Sequence, residues 1–271
     1  MGAENWKIDA ENRIRDRKME TEKKDADYLS GIVGPSFRQG LKCGLQKNSF
    51  IDYPGKISCV LFLSGCNFNC PYCHNPELAK GYAEFPHSMK ESKLYDFLEK
   101  HRGFLDGVVI SGGEPTLQKD LFWLCEKIKS MGYPVKMDTN GSRPRVIASL
   151  IDKKLVDYVA MDIKTDPLHY SPLIKKDCDP NDILSSIRII MESGLPYEFK
   201  TTCIKPLVDE QVVEKISHLI DGAMLYVLQQ FRKTEVLHPE FFRKDMYNYS
   251  DDELAHLRDI AAVQVGKCIV R

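Results

Sequence analysis

From Leu41 onward the chain alternates between short apolar runs and stretches in which apolar residues recur at helical spacing. The runs Ile57 to Leu63, Gly107 to Ser111, Pro134 to Asp138, Val156 to Asp162, Tyr197 to Cys203 and Ala223 to Leu228 read as buried strands. Capped helical segments fill the gaps. Ser88-Met89-Lys90-Glu91 is a capping box opening a helix to about Arg102, Gln118 to Met131 is a second helix ending at Gly132, and Arg143 to Lys153 is a third. Asp179-Pro180 starts another that stops before Gly194, and Asp209 to Ile220 is the fifth. This alternation predicts an α/β fold of parallel strands joined by right-handed crossovers. Six such units are too few to close an eight-stranded barrel, so periodicity leaves an open doubly wound sheet and a partial barrel both standing. Past the sixth strand, Ser250-Asp251-Asp252-Glu253 caps a last helix to about Ala262, and Gly266 to Val270 reads as a short strand.

Domain organisation follows from the same pattern. Residues 1–40 are dense in charge and poor in branched apolar residues, and they predict an extension that is a solvated helix around Arg13 to Lys24 or disordered chain. Residues 41–235 form the predicted core, and 236–271 a helix and strand packing on it. With 271 residues, 43% of them apolar and 28% charged, one well-buried domain is expected. A net charge of −1 provides no basic field for nucleic acid. No run approaches the roughly 20 apolar residues of a membrane span, and the N-terminus lacks a signal-peptide core, so no membrane partner and a cytoplasmic location are expected.

The chemistry concentrates where predicted strands end. Cys66-Asn67-Phe68-Asn69-Cys70-Pro71-Tyr72-Cys73 places three thiols on one Gly/Asn/Pro-rich loop after the first strand. Thiolates are soft ligands suited to zinc or iron-sulfur centres. Clusters usually take four cysteines, and three here would leave a position open for chemistry; a structural zinc site completed by His74 or His87 is the bland alternative. The other cysteines, Cys43, Cys59, Cys125, Cys178, Cys203 and Cys268, are scattered as small core residues in a reducing compartment would be. Strand two ends at Ser111-Gly112-Gly113-Glu114-Pro115, strand three at Asp138-Thr139-Asn140-Gly141 and strand four at Asp162-Ile163-Lys164. Paired glycines admit a ligand close to backbone, and a carboxylate at a strand end can accept from an ammonium group.

The Cys-x3-Cys-x2-Cys spacing with an aromatic before the last cysteine, followed by Gly-Gly-Glu-Pro, resembles the radical S-adenosylmethionine (SAM) superfamily. That resemblance implies a partial (β/α)6 TIM barrel, with Cys66, Cys70 and Cys73 holding a 4Fe-4S cluster whose fourth iron binds SAM. It places Tyr72 near the adenine and Gly112, Gly113 and Glu114 at the SAM amino group. Asp52-Tyr53-Pro54-Gly55, Cys73-His74-Asn75-Pro76 and the pair of aspartate motifs look like the activating enzymes of glycyl radical proteins. On that closer resemblance Asp52 contacts the substrate peptide, and His74 and Asn75 line the SAM pocket. Asp138, Thr139 and Asp162 help form a monovalent cation site, and Lys164 reaches the SAM carboxylate or ribose. Gln46 to Lys56 and Leu228-Gln229-Gln230-Phe231-Arg232 are similar to anaerobic ribonucleoside-triphosphate reductase activating proteins, and Gln229 and Gln230 stand where pyruvate formate-lyase activators carry a histidine. The absence of further cysteines between Cys73 and Gly112 implies a single cluster. The implied reaction is reductive cleavage of SAM to a 5'-deoxyadenosyl radical that takes hydrogen from a glycine of a partner enzyme, with a flavodoxin- or ferredoxin-type electron donor. A pyruvate formate-lyase-type activator and a radical SAM enzyme acting on a small molecule are the alternatives.

Overall fold

A computed structural model describes residues 42–81, 89–170, 179–232, 235–242 and 247–271. The extension 1–40, His87, Ser88 and Cys178 lie outside the described residues. Among the described residues nine strands form one sheet: β1 (Lys42–Ser49), β2 (Ser58–Leu63), β3 (Met89–Lys90), β4 (Gly107–Gly112), β5 (Val135–Thr139), β6 (Tyr158–Asp162), β7 (Tyr197–Cys203), β8 (Tyr226–Gln230) and β9 (Cys268–Val270). Their order is β3-β1-β2-β4-β5-β6-β7-β8-β9. β1 pairs antiparallel with both β2 and β3, whereas every step from β2 to β9 is parallel.

This order decides between the two architectures. Each parallel strand is added beyond the last, so the order never reverses and there is no switch point of the kind a doubly wound sheet needs. Right-handed crossovers then all fall on one face, and the sheet curls about the other as a partial barrel. The helices are α1 (Pro76–Lys80), α2 (Glu91–Lys100), α3 (Leu121–Ser130), α4 (Pro144–Asp152), α5 (Pro180–Glu192), α6 (Glu210–Leu219) and α7 (Asp251–Ala261). Reciprocal capping boxes start α5, from Asp179 and Asp182, and α7, from Ser250 and Glu253. α3 begins three residues later than expected because Pro115–Leu117 wind into a 3-10 turn and Asp120 takes the cap position. β8 likewise runs later than Ala223 to Leu228. β1, β3 and α1 were not anticipated, and β9 joins the sheet beside β8.

Alternation along the strands fills the barrel interior in layers. Tyr53, Val60, Val109, Tyr158 and Ala160, with Phe62 against them, form an apolar floor. Tyr53 enters it from the turn before β2, its ring 5.8 Å from that of Tyr158 and close against Gly107, where any side chain would crowd it. Beside this floor lies Lys136, 3.7 Å from Glu198, whose other oxygen meets Arg271 at 3.0 Å. One pleat further toward the carboxyl ends come Asp138 on β5 and Lys200 on β7, and there the interior opens.

Candidate active site

The opening is a cavity of about 250 Å³ at the carboxyl ends of the strands. Cys66, Cys70 and Cys73 line it from the loop leaving β2, with Tyr72 between the last two and His74 and Asn75 after them. Ser111, Gly112 and Gly113 from β4, Asp138, Thr139 and Asn140 from β5, and Asp162 and Lys164 from β6 complete the wall that the motifs identified. Phe68, Ala79, Lys200, Thr202 and Gln229 line it too. Twelve of the fourteen residues selected from the sequence therefore meet at one place; Glu114 and Asp52 do not.

Glu114 is fully buried and turned away from the cavity. Its Oε1 accepts from Thr116 N (3.1 Å), Thr116 Oγ1 (2.5 Å) and Thr139 Oγ1 (2.8 Å), and its Oε2 from Asn140 N (2.7 Å). Burial raises its pKa against the pull of these donors. The carboxylate clamps the end of β4 to the end of β5, so the side chain braces the wall instead of facing a ligand. Asp52 sits in the turn before β2, at the amino ends of the strands, and the six residues of β2 separate it from the cysteine loop, roughly 20 Å at the rise of an extended strand. Its Oδ2 accepts from Ser49 Oγ at 2.5 Å.

Gly112 and Gly113 do more than admit a ligand. A Cβ on Gly112, whose φ is +123°, would collide with the Leu63 backbone, and one on Gly113 with the Gly65 carbonyl. Two backbone bonds hold this approach, Gly113 N to Leu63 O (2.8 Å) and Glu114 N to Gly65 O (2.7 Å), and Gln118 Nε2 donates to Ser64 O at 2.6 Å. The Gly-Gly-Glu-Pro turn thereby fixes the root of the cysteine loop. Asn140, which sequence reasoning did not assign, holds the loop's middle: its Nδ2 donates to Asn67 Oδ1 (3.0 Å) and lies 3.9 Å from Cys66 Sγ. At the far end Leu237 N donates to Cys73 O and His238 N to Pro71 O, each at 3.1 Å. His74 stacks on Phe231 with centroids 5.4 Å apart, and Phe231 on Phe242 at 5.3 Å.

The described cysteines are all free thiols. Burial pushes Cys66 up to about 11 and Cys70 up to about 12, a cost that a cationic iron centre offsets when it takes the thiolates as ligands. Three thiols lining one cavity suit a cluster that keeps one iron open to a ligand. The remaining wall suits a zwitterionic ligand. Lys164 and Lys200 are kept charged: burial works against them, but Asp162 beside Lys164, and Asp138 and Asp162 beside Lys200, raise both above the usual lysine value. Among the described residues the Tyr72 hydroxyl, buried on this wall, has no hydrogen-bond partner, the kind of orphaned group a ligand satisfies.

The sequence model of the radical SAM superfamily matches residues 60–219, more than half of the chain. The chain belongs to the radical SAM superfamily. It is accordingly a radical SAM enzyme, with a 4Fe-4S cluster and S-adenosylmethionine as the family's cofactors. A protein of Methanocaldococcus jannaschii provisionally named a glycyl-radical enzyme activating enzyme is 38% identical over 86% of this chain and 96% of its own length. The pyruvate formate-lyase-activating enzyme of Streptococcus mutans is 26% identical over 80% of each chain. A 7-carboxy-7-deazaguanine synthase of Haemophilus influenzae is 32% identical over 63% of this chain and 70% of its own. Among solved structures, Streptococcus suis SuiB bound to the precursor peptide SuiA aligns with a TM-score of 0.59 at 14% identity, covering 78% of this chain and 48% of that one. Methylornithine synthase aligns with a TM-score of 0.56 at 14% identity, covering 79% and 63%. At such identities the likeness concerns the fold, and it agrees with the partial barrel. No described helix is long and apolar enough to cross a membrane.

Proposed function

We propose that this radical SAM enzyme activates a glycyl radical enzyme, with an anaerobic ribonucleoside-triphosphate reductase as the first choice of partner. The observation that carries the reading is the 38% identity to the Methanocaldococcus jannaschii protein, which spans nearly the whole of both chains instead of the barrel core alone. Cys66, Cys70 and Cys73 would hold the cluster; Tyr72, His74, Asn75, Gly112, Gly113, Thr139 and Lys164 would line the SAM site. When bound, cluster and SAM supply a carbon-centred radical able to take a hydrogen atom from an unactivated C–H bond. The protein's own part is orientation: the charged pairs Asp162–Lys164 and Asp138–Lys200 face the ligand. A one-electron donor of the flavodoxin or ferredoxin type would reduce the cluster.

A glycine α-carbon is reached only if the partner's glycine loop enters the cavity as extended chain. Phe50 and Ile51, 68% and 80% exposed beside Asp52, offer apolar surface for a protein at the amino ends of the strands; a contact of Asp52 with the partner would belong to that docking surface and not to the cavity.

Reduced, cluster-loaded enzyme mixed anaerobically with SAM and the reductase should yield a glycyl radical by electron paramagnetic resonance, with deuteration of the glycine α-position removing its main splitting. The match to a 7-carboxy-7-deazaguanine synthase favours a second reading, turnover of a small heterocyclic substrate. SAM cleavage that rises with such a compound and never with any glycyl radical protein would replace the first reading by the second.

A further inference from the structure

Two carboxylates facing one cavity are the hard oxygen donors that a small cation selects, and Asp138 and Asp162 are placed in that way; the Thr139 hydroxyl beside them donates to Glu114 and accepts from Gly141 N. The space between the carboxylates, however, is already spanned. Lys200 Nζ stands 3.6 Å from Asp138 Oδ1 and 3.9 Å from Asp162 Oδ1. Lys136 Nζ meets Asp138 Oδ1 at 2.5 Å, and Lys164 Nζ meets Asp162 Oδ2 at 3.3 Å. Glu198 extends the network between Lys136 and Arg271. Each of these three carboxylates thus already has cationic side-chain partners. A metal ion entering between Asp138 and Asp162 would have to displace the Lys200 ammonium that spans them.

Lys200 is built into the position. It is buried in the middle of β7, and its neighbours at alternate positions, Glu198 and Thr202, point to the same interior. Its carbonyl accepts from Ile163 N at 2.7 Å, which ties β7 to the chain between Asp162 and Lys164. The ammonium reaches both carboxylates because both strands are held in this register.

We propose that the Lys200 ammonium is the built-in cation of this site: it bridges Asp138 and Asp162 in the place of a metal ion, so that SAM binds without a monovalent cation. Lys200 is on this account a positioning residue, acting through the two carboxylates. The inference does not rest on the glycyl radical partner and stands with either substrate class.

The test is SAM affinity, titrated through the change in the reduced cluster's paramagnetic resonance signal. Three media of equal ionic strength are compared, containing tetramethylammonium, sodium or potassium chloride. The native chain should bind SAM with the same dissociation constant, within about twofold, in all three. Lys200→Met removes the charge at similar length and leaves the carboxylates facing one another. In tetramethylammonium its affinity should fall about tenfold or more, the worth of a charged hydrogen bond, and sodium or potassium should restore part of the loss. A native chain that needs sodium or potassium for SAM binding would overturn the proposal without any variant. So would a Lys200→Met protein with full iron content whose affinity is native in all three salts, or whose loss neither metal ion recovers.

Discussion

Substituting Gly113 by alanine tests whether the Gly-Gly-Glu-Pro turn anchors the cysteine loop. A Cβ at this position would overlap the Gly65 carbonyl, and since Gly113 has no positive φ the penalty is steric alone. Relief requires the two loops to part, which breaks Gly113 N to Leu63 O and Glu114 N to Gly65 O. Two such bonds are worth about 1 kcal/mol each, and forced backbone displacement adds about 1–3 kcal/mol. A loss of about 3–5 kcal/mol lowers the melting temperature of a chain of this size by roughly 6–20 °C. The assay is thermal unfolding of the apoprotein by circular dichroism, paired with iron content after anaerobic reconstitution. Gly132→Ala is the control: its φ is +88° but nothing lies within 4 Å, so only the left-handed backbone penalty of about 1–2 kcal/mol applies. If Gly113→Ala melts no lower than Gly132→Ala and takes up iron as the native chain does, the turn does not brace the loop and the argument fails.

Three further outcomes follow from the interior. Lys136→Met strips the nearest partner from Asp138 and one of two from Glu198 in a buried setting, and should cost about 3–5 kcal/mol in denaturant unfolding; a loss under about 1 kcal/mol would show that the pairs are not stabilised there. Asp138 is pulled up by burial but held by Lys136 and Lys200 at about 2, below the usual 3.8. A depressed folded pKa stabilises above the unfolded value and loses that support as pH falls through the folded one. Between about pH 5 and pH 2 the native apoprotein should therefore lose roughly 2 kcal/mol more than Asp138→Asn, and parallel pH profiles would refute the assignment. Asp52→Ala, at the opposite end of the barrel, should leave iron content and partner-free SAM cleavage within about twofold of native; joint loss of both would contradict the separation of that turn from the cavity.

Much of the architecture was legible because parallel strands buried on both faces read as apolar runs, and β2, β4, β5, β6 and β7 fall within two residues of their expected bounds. β1 was not, since Lys42–Ser49 is an edge strand with Gln46, Lys47 and Asn48 exposed, and its pairing is imposed by β2 instead of by its own pattern. Strand order, not periodicity, chose the barrel. At the site, spacing brought out the three cysteines and the strand-end motifs, yet spacing is silent on which way a side chain turns. The motif assigns Glu114 to the SAM amino group, whereas its carboxylate clamps Thr116, Thr139 and Asn140. The resemblance assigns Asp52 to the substrate peptide, and the antiparallel β1–β2 hairpin sets it at the amino ends of the strands, away from the cavity. Lys200 carries a visible signal: Glu198 and Lys200 alternate with Tyr197 and Phe199 in a strand buried on both faces, which only a polar interior permits.

On the function proposed above, Cys66, Cys70 and Cys73 carry a cluster with one iron open to SAM. Low-temperature electron paramagnetic resonance of anaerobically reconstituted, reduced protein, recorded with and without SAM, addresses it most directly. A 4Fe-4S signal that changes shape when SAM is added, and that is lost when any one of the three cysteines is replaced by alanine, is the predicted result. A colourless, silent protein that retains zinc after reconstitution would contradict it and would reduce the cysteine loop to a brace of the fold.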